Sequence, residues 1–152
     1  MTAASPVYRE KTASREDILG HLRACNHNHH PPLDQKVDLL EYAGKIFDNA
    51  VTFEAWSNGV LVGLVAAYLS DVSGRTGYIT NVSVTREFMG QGVALKLMGV
   101  CLEKAEYCGT KIMALEVGRA NEAAIALYRK LGFEESRDKG NSIMMQLSFA
   151  RK

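Results

Sequence analysis

Gly90 and Gly92 stand between a strand pattern and a helix pattern, where backbone chemistry could hold an anion. The strand pattern covers residues 78–84; it carries the β-branched Ile79, Thr80, Val82 and Val84 and is free of Gly and Pro. A polar link, 85–88, leads to Met89-Gly90-Gln91-Gly92-Val93-Ala94 and then to a long helical pattern. Glycines let a ligand approach the backbone, and the first-turn amides of a helix, which lack intrahelical partners, point at a phosphate. The same glycines also suit tight strand-to-helix packing, so this element alone does not decide between the two.

A second group is His27, His29 and His30, followed by Pro31 and Pro32. Structural zinc takes four ligands, often thiolates, and catalytic zinc takes a shaped three-ligand site. These histidines crowd one loop, with no carboxylate in register, so they read as a solvated loop and not as a metal site. The cysteines, Cys25, Cys101 and Cys108, show no C-x-x-C spacing. Cys101 and Cys108 fall seven apart on an apolar helix face and read as small core residues. Cys25 lies near a helix end and stays open between core and chemistry.

The elements that must position these residues follow from pattern. Residues 6–11 read as a first strand, and Ser14 caps a helix to Ala24 with Ile18, Leu19 and Leu22 on one face. A second amphipathic helix is expected over 34–47. Residues 51–57 alternate, Asn58-Gly59 signals a type I′ turn, and 60–69 read as a buried strand. A turn at 71–75 then leads into the strand at 78–84. This antiparallel meander ends at the glycine loop. Helix 92–107 follows, with Gly99 in its interior; mid-helix Gly costs about 1 kcal/mol relative to Ala, which reads as a mark of close packing. Then come a strand at 111–117, a helix at 121–131 stopped by Gly132, and a hairpin of 133–137 with 142–149 around Lys139-Gly140-Asn141. The pattern implies an α/β (α+β) fold: a mixed sheet with helices on both faces, in a single domain over residues 1–152.

Composition narrows the class. Hydrophobic residues make up 47% and charged residues 23%, as in ordinary globular domains, and the net charge of +1 gives no basic surface for nucleic acid. No apolar run approaches the roughly 20 residues of a membrane span, and MTAASPVYREK lacks a signal peptide's apolar centre, so a cytoplasmic protein is expected.

Two stretches taken together resemble the GNAT superfamily of N-acetyltransferases. The first is 78–94, set against the family's strand, R-G-x-G-I-G/A and helix. The second has Leu115-Glu116-Val117 and then NEAAIALYRKLGF at 121–133, set against L-E-V and N-x-x-A-x-x-L-Y-x-x-x-G-F. The likeness covers 78–134 in order and spacing. Its second half is similar to the bacterial ribosomal-protein N-terminal acetyltransferases. The resemblance implies a mostly antiparallel central sheet flanked by helices on both faces, and acetyl-CoA as cofactor.

Residue roles follow from the resemblance. The backbone of Val82, Ser83 and Val84 pairs with the pantetheine arm, and the amides of Met89, Gly90, Gln91, Gly92, Val93 and Ala94 hold the pyrophosphate. Asn121 contacts the cofactor, caps its helix, or does both. Tyr128 faces the sulfur as general acid; an ordinary tyrosine, with pKa about 10, is protonated at neutral pH. Packing the helix on the sheet is its other reading. Glu116, twelve positions earlier, is the base in the ribosomal-protein enzymes and a structural or solvent-bridging residue elsewhere. Asn81 occupies a position where some members place a catalytic group; it cannot be a base but can orient water on the substrate side. His29 and His30 fall on the acceptor side of the cleft. Met89 departs from the family's Arg or Gln, and Gly118 from an Arg, with Arg119 one place later. The implied activity is acetyl transfer to a primary amine, of a small molecule first and a protein N-terminus second. A non-catalytic acyl-CoA-binding module is the alternative class. A homodimer is compatible with any of these.

Overall fold

The computed structural model describes residues 5–29, 31–69 and 76–149. Its elements are β1 (Val7–Glu10), α1 (Arg15–Ala24), α2 (Leu39–Asn49), β2 (Val51–Ser57), β3 (Val60–Tyr68), β4 (Thr76–Val84), α3 (Val93–Tyr107), β5 (Ile112–Gly118), α4 (Glu122–Lys130), β6 (Glu134–Asp138) and β7 (Ser142–Ser148). The strands form one sheet in the order β1-β2-β3-β4-β5-β7-β6, in which β4–β5 is parallel and every other pairing antiparallel.

Local chemistry sets the boundaries. Ser14 and Asp17 close a reciprocal capping box at the start of α1, with backbone-to-side-chain bonds of 3.0 and 2.9 Å. Asn58 and Gly59 both have positive φ, 52° and 76°, as a type I′ hairpin between β2 and β3 demands. The second helix starts later than the expected residue 34. The Asp34 amide donates to Asn26 Oδ1 at 2.8 Å, which folds Leu33–Gln35 into a 3₁₀ turn, and Asp38 is the aspartate that caps α2. The turn expected at 71–75 lies outside the described residues.

Two further expectations are corrected. Cys101 is buried in the core, whereas Cys108 is exposed at the C-cap of α3, beyond the buried stripe of the helix. Gly99 packs against nothing: a Cβ built there meets no atom within 4 Å. The close approach is at Gly63 instead, where a Cβ would lie 2.8 Å from Val93 Cγ1 and 3.2 Å from Leu97 Cδ1. That bare backbone lets the start of α3 sit against the sheet.

Each face has its own core. Ile18, Leu22, Ala43 and Ile46 of α1 and α2 pack on Leu61, Leu64 and Ala66. Val93, Leu97, Met98 and Cys101 of α3, with Tyr128 of α4, pack on Phe53, Val65, Met113 and Leu115. Among the described residues no helix is long and apolar enough to cross a membrane.

The middle of the sheet is irregular. Ala66 pairs with Asn81 and Ala67 with Ile79, so Thr80 is an extra residue in β4. The Tyr42 hydroxyl of α2 holds this bulge, donating to Thr80 O at 2.6 Å, with Thr80 Oγ1 2.8 Å away. Pairing between β4 and β5 runs from Thr76↔Ile112 to Ile79↔Leu115 and stops there.

Candidate active site

A cleft of about 860 Å³ lies where β4 and β5 cease to pair. Its walls are residues 78–82 of β4, residues 115–118 of β5, Asn121 at the cap of α4 and Tyr128 within it, the Asn141-Ser142 corner, and His29, Pro31, Leu33 and Lys36 from the connection between α1 and α2. The edge of Val82–Val84 away from β3 carries no strand among the described residues; Asn28 Nδ2 reaches Val84 O there at 3.4 Å.

The glycine loop follows the same end of β4. Gly90 and Gly92 have φ of 76° and 81°, a left-handed geometry that favours glycine, and Gly92 is the N-cap of α3. No side chain caps α3, so its first amides keep their donors, and Cβ positions at Gly90 and Gly92 face open space. That geometry suits a phosphate and needs no cation. Met89 is 47% exposed beside this loop, and Gln91 Nε2 is turned back onto Glu87 O at 3.1 Å.

Of the sequence-derived site residues, Asn81, Val82, Glu116, Asn121, Tyr128 and His29 come together around the cleft. Ser83, Val84 and the stretch from Met89 to Ala94 are not among its wall residues; they continue from the end of β4. His30 lies outside the described residues. Asn121 caps α4 through Ala124 N at 3.2 Å, which leaves its amide nitrogen available to a ligand. The described residues contain no group of three or more His, Cys, Asp or Glu arranged to hold a metal.

Electrostatics separate the two candidate proton carriers. Tyr128 is 6% exposed, its ring 6.0 Å from that of Phe133, and burial pushes its hydroxyl well above the usual tyrosine range. Glu116 is held below the usual carboxylate range, first by the Ser142 hydroxyl, which outweighs the opposing effect of burial, and then by Lys139 Nζ at 3.3 Å. Tyr78, across the cleft, is raised by burial and then by the Glu116 charge.

Pattern reading passed over His21. It falls between Ile18 and Leu22 on the buried stripe of α1 and is 2% exposed, so it looked like part of an apolar face. Its ring meets Leu61 O, Ser83 Oγ and Cys25 Sγ. Cys25 is thereby a buried thiol, raised to about 11 by desolvation and inert as a nucleophile at neutral pH.

The model of the acetyltransferase (GNAT) family matches residues 15–133. N-alpha-acetyltransferase 30 of Schizosaccharomyces pombe is 34% identical over 84 residues, 54% of this chain and 56% of the relative. The chain thus spans little more than half the length of that relative. The ribosomal protein bS18-alanine N-acetyltransferase of Escherichia coli is 25% identical over 114 residues, 72% of this chain and 75% of that one. The solved structure of yncA from Salmonella typhimurium with its cofactor acetyl-CoA shares the fold, with a TM-score of 0.74 at 21% identity, covering 98% of this chain and 96% of that one.

Proposed function

The chain belongs to the GNAT acetyltransferase family, and we propose that it transfers the acetyl group of acetyl-CoA to an α-amino group. The observation that carries this is the parting of β4 from β5, which puts Tyr128, Glu116 and Asn81 around one cleft beside an uncapped helix start. Bound acetyl-CoA supplies the activated acetyl thioester. The open edge of Val82–Val84 would hold the pantetheine arm, and the amides from Met89 to Ala94, with Asn121, the pyrophosphate side. Tyr128 keeps a proton on its hydroxyl for the departing sulfur. Glu116, ionised and tied to Ser142 and Lys139, sets a negative field that draws the ammonium form of the acceptor and helps water strip its proton.

The acceptor class is supported by charge. The cleft's charged wall side chains are Lys36, Arg119 and one carboxylate, Glu116. That set repels a polyamine or aminoglycoside and suits a single amine next to a carbonyl or carboxylate. Relatives named as an N-alpha-acetyltransferase and as a ribosomal-protein-alanine N-acetyltransferase point the same way. A non-catalytic acyl-CoA-binding role is disfavoured because a ligand store needs neither Tyr128 nor Glu116 in the cleft wall.

The test is a panel of free amino acids, short peptides, amino sugars and polyamines, following release of the CoA thiol. Turnover should be highest with α-amines. Fastest turnover with polyamines would overturn the acceptor class, and no turnover with any amine the activity itself.

A further inference from the structure

Behind Asn81 lies a run of buried polar atoms that acetyl transfer leaves unexplained. His21 Nδ1 on α1 is 3.0 Å from Leu61 O of β3, and its Nε2 is 2.9 Å from Ser83 Oγ of β4. Ser83 Oγ is in turn 2.7 Å from Oδ1 of Asn81, which is 5% exposed and lines the cleft.

Counting protons gives this run a direction. The Leu61 carbonyl can only accept, so Nδ1 carries a proton. No carboxylate touches the ring, and burial lowers its pKa to about 4, so it is neutral at pH 7 and has one proton. Nε2 must then accept, and Ser83 must donate to it. The Cys25 thiol, 3.6 Å from Nε2, does not relieve this: with Ser83 turned away, two lone pairs would face each other at 2.9 Å. Ser83 has no second proton for Asn81, so its oxygen needs a donor there. A half-turn of the Asn81 amide supplies one without moving a heavy atom. The Asn81 side chain also reaches the Tyr42 hydroxyl, but the one proton of that hydroxyl goes to Thr80 O at 2.6 Å, so Tyr42 does not claim the amide oxygen.

We propose that His21 and Ser83 are positioning residues that turn the Asn81 amide so that its nitrogen serves Ser83 and its oxygen faces the cleft, accepting a hydrogen bond from the incoming amine. The role in catalysis rests on the acetyl-transfer reading above. An oxygen at this point takes one N–H of a primary amine and so fixes the direction of the nitrogen lone pair. It removes no proton itself.

Nitrogen NMR on the full chain with ¹⁵N-labelled histidine at pH 7 tests the direction, the His21 signals being those lost in His21→Gln. A neutral ring with its proton on Nδ1 is the expected result; an imidazolium or an Nε2–H ring overturns the proposal. Kinetics test the consequence. Ser83→Ala should lower kcat/KM for the amine by about threefold to tenfold, the worth of a neutral hydrogen bond. Ser83→Thr, which keeps the hydroxyl, should recover most of it. A folded Ser83→Ala with unaltered kcat/KM overturns the proposal as well. The NMR arm needs no turnover, so a chain inactive on every amine defeats the acetyl-transfer reading while the His21 ring still decides the orientation of Asn81.

Discussion

A group that delivers a proton to sulfur must first keep it from water. Tyr128 meets that demand through burial, which raises its hydroxyl further above neutral pH. Tyr128→Phe keeps the ring beside Phe133 and removes only the hydroxyl. We expect kcat to fall by a factor on the order of 10² to 10⁴, the range for a general acid, at every pH tested. Glu116 behaves differently. Its bonds to Ser142 and Lys139 depress its pKa, which makes it a weaker base than a free carboxylate but keeps it charged. Glu116→Gln should therefore cost most at low pH, where the acceptor is an ammonium, and cost least near the amine's own pKa, about 8 for an α-amine. A rate profile against pH for both variants separates the roles. Wild-type rates for Glu116→Gln across the profile would reduce Glu116 to a strut for the corner at Ser142.

Among the elements, the start of α3 is where binding and stability can be told apart. Gly92 is a poor probe, because its φ of 81° strains any side chain whether or not a ligand is present. Ala94 is better, since it lies in the first turn of α3 with ordinary helical geometry. Ala94→Asp puts a carboxylate where the helix dipole welcomes it, so the unliganded protein should lose no stability. The same charge repels a pyrophosphate, and the acetyl-CoA dissociation constant should rise by about tenfold, the effect of roughly 1.4 kcal/mol. Calorimetry showing unchanged affinity would remove the loop from the binding site. This element was legible in the sequence because glycines, a β-branched run and helical periodicity each leave a local mark. Asn58-Gly59 and the cap at Ser14 were legible for the same reason. The parting of β4 from β5 was not. It depends on one extra residue, Thr80, which is β-branched like Ile79 and Val82 in the same strand, and on a tyrosine, Tyr42, far away in sequence. His21 was hidden for a related reason: a buried histidine on an apolar stripe shows its purpose only when the partners on β3 and β4 are in place.

Over the whole molecule, the site depends on α1 being held to the sheet, and a single carboxylate does much of the holding. Glu54 of β2 is fully buried. It accepts from Thr12 N at 2.9 Å, Ala13 N at 3.0 Å and Trp56 Nε1 at 3.0 Å, and from the hydroxyls of Thr12 and Thr52. Those bonds fix the corner between β1 and α1, and α1 in turn carries His21 to Ser83. Burial pushes the Glu54 pKa up, but the hydrogen bonds, led by those from Thr12 and Thr52, outweigh it and leave the pKa lowered. A carboxyl whose folded pKa lies below its unfolded value contributes stability above the unfolded value, about 4.3, and loses it as pH falls through the folded one. Glu54→Gln should therefore destabilise the chain at pH 7 by about 1–3 kcal/mol, the cost of weakened bonds to a charged acceptor. The gap from wild type should narrow as acid protonates Glu54 in the parent. Urea midpoints measured at pH 7 and at steps down to the acid limit of folding check both halves. A gap that stays constant through the acid range would mean that the geometry of the acceptor matters and its charge does not, and α1 would then be anchored by shape alone.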